Sequence, residues 1–141
     1  MIKQTFDFHG TKITIKTFTS ETNGAYTVLY VIHPPNVGPA LHMHPKGAES
    51  FYIIKGEYEF VLGDKTLKAK TGDVVTVPKG IPHKFKVGNS GGQVLITSPP
   101  HLENYFFQVS ELLSKGDVSW ETEFSIAKQY GQVFLENAGH W

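Results

Sequence analysis

The sequence predicts an all-β fold, a sandwich or barrel of many short strands, followed by two short helices. Three observations support this prediction. From about residue 6 to about residue 97, apolar and polar residues alternate with a period of two, as in residues 57–62. Glycine and proline residues typical of turns interrupt the alternation at short intervals. After Pro99-Pro100, apolar residues recur at helical spacing instead.

The predicted strands follow one another closely along the chain. Alternating or β-branched runs occur at residues 13–16, 27–32, 50–54, 57–62, 66–69, 74–77 and 83–87. Turns are predicted between them, among others at Asn23-Gly24, Lys55-Gly56, Gly63-Asp64, Thr71-Gly72 and Asn89-Ser90-Gly91-Gly92. Because no helical stretch separates these strands, the pattern does not fit a parallel α/β sheet.

Two amphipathic helices are predicted after the strands. The first starts just after Pro100 and ends at Gly116, and the second begins near Ser119 or Glu121 and ends at Gly131. Each has an apolar stripe, so we expect both to pack on the barrel rather than form a separate domain. We therefore predict one domain over residues 1–141, with the barrel at about 6–98 and the helical segment at about 101–136.

Composition narrows the classes of function. Lys plus Arg number 13 and Asp plus Glu number 13, which gives no general attraction for nucleic acid or anionic membranes. The sequence has no apolar stretch typical of a signal peptide or a membrane span, so we expect a cytoplasmic protein. It contains no cysteine, which excludes disulfides and thiolate ligands. Any bound metal must therefore sit on nitrogen and oxygen atoms.

Histidines and one glutamate form the candidate metal site. His42 and His44 are two residues apart, which places them on the same face of a strand, about 6.6 Å apart. A turn at residues 45–48 can bring Glu49 back beside them. His83 follows a proline-rich turn and starts a strand on the same face as Phe85. We predict that His42, His44, Glu49 and His83 bind one divalent metal ion.

The same residues resemble the two sequence motifs of the cupin superfamily. The first motif has the order Gly, His-x-His, Glu and Gly, and this chain has Gly38, His42, His44, Glu49 and Gly56. The second has Gly, Pro-x-Gly, His and Asn, and this chain has Gly72, Pro78, Gly80 and His83. The chain departs from the pattern in two places. Gly38 is two residues closer to His42 than usual, and Val87 replaces the final Asn, with Asn89 two positions later.

The resemblance implies a jelly-roll barrel, also called a double-stranded β-helix. It also implies one divalent transition metal per chain, which can be Fe, Mn, Ni, Co, Cu or Zn, on the four predicted ligands. A small-molecule ligand and a homodimer are expected as well, and a strand edge at residues 11–18 is the candidate dimer surface. The proline-rich residues 34–39 look like those of small quercetin-dioxygenase-like cupins.

Two hypotheses of different classes follow. In the first, the protein is a metal-dependent dioxygenase that acts on a small aromatic or enolic substrate such as a flavonol. Glu49 would then act as a catalytic base, and the substrate would contact Phe51, Phe60, Phe85 and His101. The alternative for the aromatic residues is a place in the core, and for His101 the start of a helix.

In the second hypothesis, the protein is a non-catalytic or isomerase-type cupin that binds a small sugar or carboxylate. The polarity of the pocket separates the two hypotheses, because a sugar site needs several inward polar side chains. The predicted inward positions, such as Phe51, Ile53 and Phe60, are mostly apolar. This favours an aromatic or hydrophobic ligand.

Overall fold

Short alternating strands and tight turns produce a mainly antiparallel β structure with two helices at its C-terminal end. The computed structural model describes residues 4–136. In this part of the chain the strands are β1 Thr5–Phe8, β2 Thr11–Thr17, β3 Thr27–His33, β4 His42–Met43, β5 Glu49–Leu62, β6 Lys65–Lys70, β7 Val74–Val77, β8 His83–Ser98 and β9 Val133–Phe134. The helices are α1 Leu102–Leu113 and α2 Trp120–Gln129, and a 3-10 helix spans Thr19–Thr22.

The strands form one connected sheet in a jelly-roll arrangement. Its main path runs β1-β2-β3-β8-β4-β9, and β5 joins it through β8 while also pairing with β6 and β7. This hydrogen-bonded path does not return to its start, so the prediction of a closed barrel is wrong. The strand β4 has only two residues, and its second side pairs with β9 rather than with a strand at the other end of the path. The ring of hydrogen bonds therefore does not close. Among the described strands, β1, β6, β7 and β9 are left as edges.

Two of the predicted turns are instead bends within long strands. The sequence predicts turns at Lys55-Gly56 and around Gly91, but β5 and β8 continue through both places with shifts in register. Gly56 pairs with Gly92, and a Cβ atom on Gly56 would overlap the carbonyl oxygen of Gly91. Glycine is therefore needed for close approach of the two backbones, and both strands bend there together.

The N-terminal strands form a hairpin that changes the expected dimer surface. His9 and Gly10 both have positive φ angles, 52° and 86°, as a two-residue hairpin turn requires. The turn folds β1 back on β2, and β2 also pairs with β3. The expected free strand edge at residues 11–18 is therefore wrong, whereas the use of this surface in a dimer stays a prediction. Homodimer formation stays a prediction.

The core lies between the facing parts of the sheet and extends to the helices. Buried side chains of β2, β3, β5 and β8 form one cluster with Leu102, Tyr105 and Val109 of α1 and Ala127 of α2. The prediction that both helices pack on the β structure is confirmed. Neither helix in residues 4–136 is long and apolar enough to span a membrane. Residues 1–3 and 137–141 lie outside the described residues, among them His140, to which the sequence assigns no function.

Candidate metal centre

Strand pairing brings the four predicted ligands to one point. His42 in β4 pairs with His83, the first residue of β8, and Glu49 is the first residue of β5. Each of these residues and His44 is at most 5% exposed, and one donor atom from each lies within 4.8 Å of all the others. Opposite ligands of an ion bound at about 2.1 Å lie about 4.2 Å apart, so small shifts suffice to hold a metal ion.

Backbone carbonyl groups orient two of the imidazole rings. His42 Nδ1 lies 2.8 Å from the Ala40 carbonyl oxygen, and His83 Nδ1 lies 2.9 Å from that of Ile81. In each pair Nδ1 must carry the hydrogen, because a carbonyl oxygen only accepts. When such a ring is neutral, its Nε2 atom keeps the lone pair, and this is the form that binds metal. The turns before both strands thus fix the ring tautomers as well as their positions.

The two carboxylate oxygens of Glu49 have different contacts. Its Oε1 atom lies 3.2 Å from His44 Nε2 and 3.2 Å from His83 Nε2. Its Oε2 atom accepts a hydrogen bond of 2.8 Å from the Ser98 hydroxyl at the end of β8. Ser98 therefore holds the carboxylate so that one oxygen faces the imidazoles.

Burial and mutual charge set the protonation of the cluster. Burial lowers the pKa of His42 well below its usual value, and the neighbouring His83 and His44 add to this. Burial tends to raise the pKa of Glu49, but His44 and His83 outweigh this effect and hold that pKa well below the usual range. Burial tends to lower the pKa of His44, but the neighbouring Glu49 outweighs this effect, and the pKa of His44 is raised. Near neutral pH the cluster thus contains an ionised carboxylate among imidazoles, a donor set that fits a divalent transition metal.

A cavity of about 30 Å³ lies beside the cluster. His42 and Glu49 reach it, and its other lining side chains are mostly apolar: Ile13, Val31, Pro39, Phe51, Phe85, Ile96 and Phe106, together with His33 and Gln132. Pockets for drug-sized ligands measure about 300–1,000 Å³, so this cavity suits only a very small molecule.

The predicted substrate contacts do not all reach this cavity. Phe51 and Phe85 line it. Phe60 packs behind them, with ring centroids 5.1 Å from Phe51 and 5.6 Å from Phe85. His101 is exposed at the start of α1, where its backbone N–H donates to Thr19. The structure does not bring His101 to the cluster, and direct substrate contact by Phe60 or His101 stays a prediction.

Three features of the site were missed by the sequence analysis. Ser98 supports Glu49, Gln132 lines the cavity, and Phe134 of β9 places its ring 5.5 Å from that of His42. β9 pairs with β4, so the segment after α2 covers the cluster. A two-residue strand gives too little alternation to be recognised, and a lone serine or glutamine carries no spacing signal.

His33 is a further cavity residue to which the sequence analysis gave no role. Its Nδ1 atom lies 2.7 Å from the Tyr58 hydroxyl, and its ring packs edge-on against Phe85 at 5.3 Å. Burial lowers the pKa of His33 to about 3, so the ring is neutral in the folded protein. It therefore adds a polar but uncharged edge to the cavity.

Comparison with known proteins agrees with this geometry. Residues 28–97, which include all four residues of the cluster, match the family described as Cupin domain. Over these residues the chain is similar to a cupin domain. KdgF from Halomonas sp. shares the fold with a TM-score of 0.63 and 17% identity, over 72% of this chain and 90% of that one. An RmlC-like cupin from Shewanella frigidimarina gives a TM-score of 0.64 and 19% identity, over 73% and 88% of the two chains.

Other relatives cover smaller shares of their own length. An oxalate decarboxylase from Bacillus subtilis gives a TM-score of 0.61 and 21% identity, over 70% of this chain and 27% of that one. An uncharacterized protein of Methanocaldococcus jannaschii is 33% identical over 61 residues, which are 43% of this chain and 49% of the relative. The match thus spans about half the length of this curated relative. These findings support the cupin superfamily, but not the narrower resemblance to quercetin dioxygenases.

Proposed function

We propose that the cupin domain binds one divalent transition metal through His42, His44, Glu49 and His83 and uses it to bind a small ligand. The main support for this proposal is that four buried donor atoms lie within 4.8 Å of one another. Three neutral imidazoles and one carboxylate leave a divalent ion with one positive charge, which favours an anionic ligand. A bound ion would supply Lewis acidity and fix the orientation of that ligand.

The protein's own groups prepare the site for this role. The carbonyl groups of Ala40 and Ile81 keep two imidazoles in the metal-binding tautomer, and Ser98 fixes the carboxylate of Glu49. The apolar walls, which include Phe51 and Phe85, exclude bulk water and so strengthen electrostatic interactions inside.

Oxygen-dependent cleavage of a small enolic substrate is the first candidate reaction. The apolar lining supports it, because dioxygen and the carbon frame of an enediol need no polar partners. Glu49 would accept the enol proton at a carboxylate oxygen. A flavonol is much larger than the cavity of about 30 Å³, so a smaller enediol fits this proposal better.

Binding or isomerisation of a small carboxylate, without oxygen, is the second candidate. The size of the cavity and the presence of Gln132 in its lining favour it. One fold neighbour is named for oxalate, a very small carboxylate. A sugar would require more hydrogen-bonding side chains than the lining offers. Homodimer formation and a cytoplasmic location are further proposals.

Metal analysis tests the proposal directly. Purified protein should contain about one equivalent of a transition metal, and the variants His42→Ala, His44→Ala and His83→Ala should each lose most of it. His101→Ala is the matched control, because His101 is exposed and away from the cluster. Equal metal content in all four variants would overturn the assignment.

Oxygen consumption separates the two candidate reactions. Protein loaded separately with Fe, Mn, Ni, Co or Cu is given small enediols, phenols and diketones under air. Uptake of oxygen that depends on His83 supports the dioxygenase. A tight complex with a small carboxylate and no oxygen uptake with any metal supports the second candidate.

A further inference from the structure

We propose that Gln132 is the ligand-binding residue of the cavity and that it recognises an oxygen atom of a small carboxylate or enolate. The inference rests on the proposed metal function, which it deepens by naming the ligand class. Gln132 lies in the short segment between α2 and β9, outside the residues that match the cupin family.

The backbone around Gln132 fixes where its side chain lies. Gly131 adopts a positive φ of 85°, which ends α2, and the Gln132 N–H donates to the Ala127 carbonyl at 2.9 Å. On the other side, β9 pairs with β4 through Val133 and Met43. Gln132 is thus held at both ends and is only 4% exposed. Its position is set by folding and does not depend on a ligand.

The side chain of Gln132 is available for contact with a ligand. Within residues 4–136 its side chain makes no hydrogen bond, although it lines the same cavity as His42 and Glu49. Because Gln132 as a whole is only 4% exposed, water can reach this amide only in part. A ligand oxygen in the cavity would supply the missing partner.

The chemistry of the cavity defines that ligand. His33, the other polar side chain in the lining apart from the metal-binding residues, uses Nδ1 for its contact of 2.7 Å with the Tyr58 hydroxyl. The amide of Gln132 carries N–H donors at every pH, so it can donate to one ligand oxygen while a second oxygen faces the cluster. The cavity of about 30 Å³ limits the ligand to a few non-hydrogen atoms. A one-carbon or two-carbon carboxylate, or an enolate of similar size, meets these conditions.

Titration of the Co(II)-loaded protein with formate tests the proposal through the visible absorption of the ion. The variant Gln132→Met keeps the size of the side chain but removes the amide. We expect unchanged cobalt content and about tenfold weaker formate binding, as for the loss of one hydrogen bond to a charged group. Gln129→Met, at an exposed position at the end of α2, is the control and should behave as the wild type.

The outcomes distinguish this inference from the proposed function. Equal formate affinity in wild type and Gln132→Met, with cobalt bound in both, overturns the role of Gln132 alone. A wild-type protein that binds no cobalt overturns the metal function itself. If Gln132→Met does not fold, Gln132→Glu replaces it, since a second carboxylate should repel formate. Formate binding to that variant as tight as to wild type overturns the inference, as does benzoate binding as tight as formate.

Discussion

Buried carboxylates in two regions of the molecule are satisfied in different ways. Where the helices meet the N-terminal strands, Glu123 lies 2.7 Å from both His9 Nε2 and the Tyr105 hydroxyl. Nearby, Glu103 accepts hydrogen bonds of 2.6 Å and 2.8 Å from the backbone and hydroxyl of Thr19. Each of these carboxylate oxygens has a short contact with a donor or an imidazole. The groups are typical of structural contacts that fix one element to another.

The carboxylate of Glu49 in the metal centre differs at one oxygen. Ser98 satisfies Oε2 at 2.8 Å, but Oε1 has only the two longer contacts of 3.2 Å to His44 and His83. The rings of His42 and His83 also turn their Nε2 atoms inward, since both Nδ1 atoms lie on backbone carbonyls. Convergence of lone pairs and one loosely held oxygen distinguishes a ligand-binding cluster from a structural one.

Removing the negative charge of Glu49 should have the largest effect on metal affinity. Glu49→Gln keeps the shape of the side chain but removes the only carboxylate of the four ligands. We expect metal affinity to fall by about 1,000-fold, more than the 10–100-fold typical of groups that merely support a ligand. Chelator competition followed by metal analysis measures this. Glu103→Gln is the matched control, and a similar loss of metal there would contradict the distinction between the two regions.

Removing the carboxylate between the helices should affect folding instead. Glu123→Ala leaves His9 and the buried Tyr105 hydroxyl without this partner, so we expect a loss of about 3 kcal/mol in the free energy of unfolding. That corresponds to a melting temperature lower by roughly 10 °C. Metal content should be unchanged. Glu121→Ala, exposed on the same helix, should shift stability by less than about 0.5 kcal/mol. Loss of metal in the Glu123 variant would contradict the prediction.

The sequence predicts the cluster better than its surroundings for a physical reason. The His-x-His spacing places His42 and His44 from local geometry alone, and the motif order adds Glu49 and His83. Their convergence in the structure confirms the predicted arrangement. Ser98 has no such signal, because its contact with Glu49 joins residues 49 positions apart.

The same limit applies to the fold. Alternation predicts that strands exist, but not which strands are neighbours, so the central position of β2 was mistaken for an edge. Gly56 and Gly92 show a second ambiguity, because glycine marks both turns and bends where two backbones approach. Helix α2 ends with Gly131 following closely, as predicted, whereas the cover formed by β9 depends on pairing with β4 far earlier in the chain.

The hydroxyl that supports Glu49 should have a smaller effect on metal than the ligand itself. Ser98→Ala leaves all four donors in place but releases Oε2, so we expect metal affinity to fall by about 10–100-fold. The fold should be retained. Thr97→Ala, exposed on the same strand, is the control. If Ser98→Ala binds metal as tightly as the wild type, the orientation of Glu49 does not depend on this hydrogen bond.

The smallest expected effect concerns His33, which lies beside the cluster but belongs to the core. Its pKa is about 3 in the folded protein, against an ordinary value of 6.5. Below about pH 6.5 the unfolded chain therefore takes up a proton that the folded chain does not, and stability falls as the pH decreases. From this residue alone we expect a loss of about 1 kcal/mol between pH 7 and 5.5.

Urea unfolding of metal-free wild type and His33→Phe over this pH range isolates the contribution of His33, because both proteins share the remaining titrating groups. The variant keeps an aromatic ring against Phe85 but cannot take up a proton. Its stability should therefore depend less steeply on pH than that of the wild type, by about 1 kcal/mol over the interval. Parallel pH profiles would show that His33 is not held neutral by burial. The lining of the cavity would then carry a charge at acid pH.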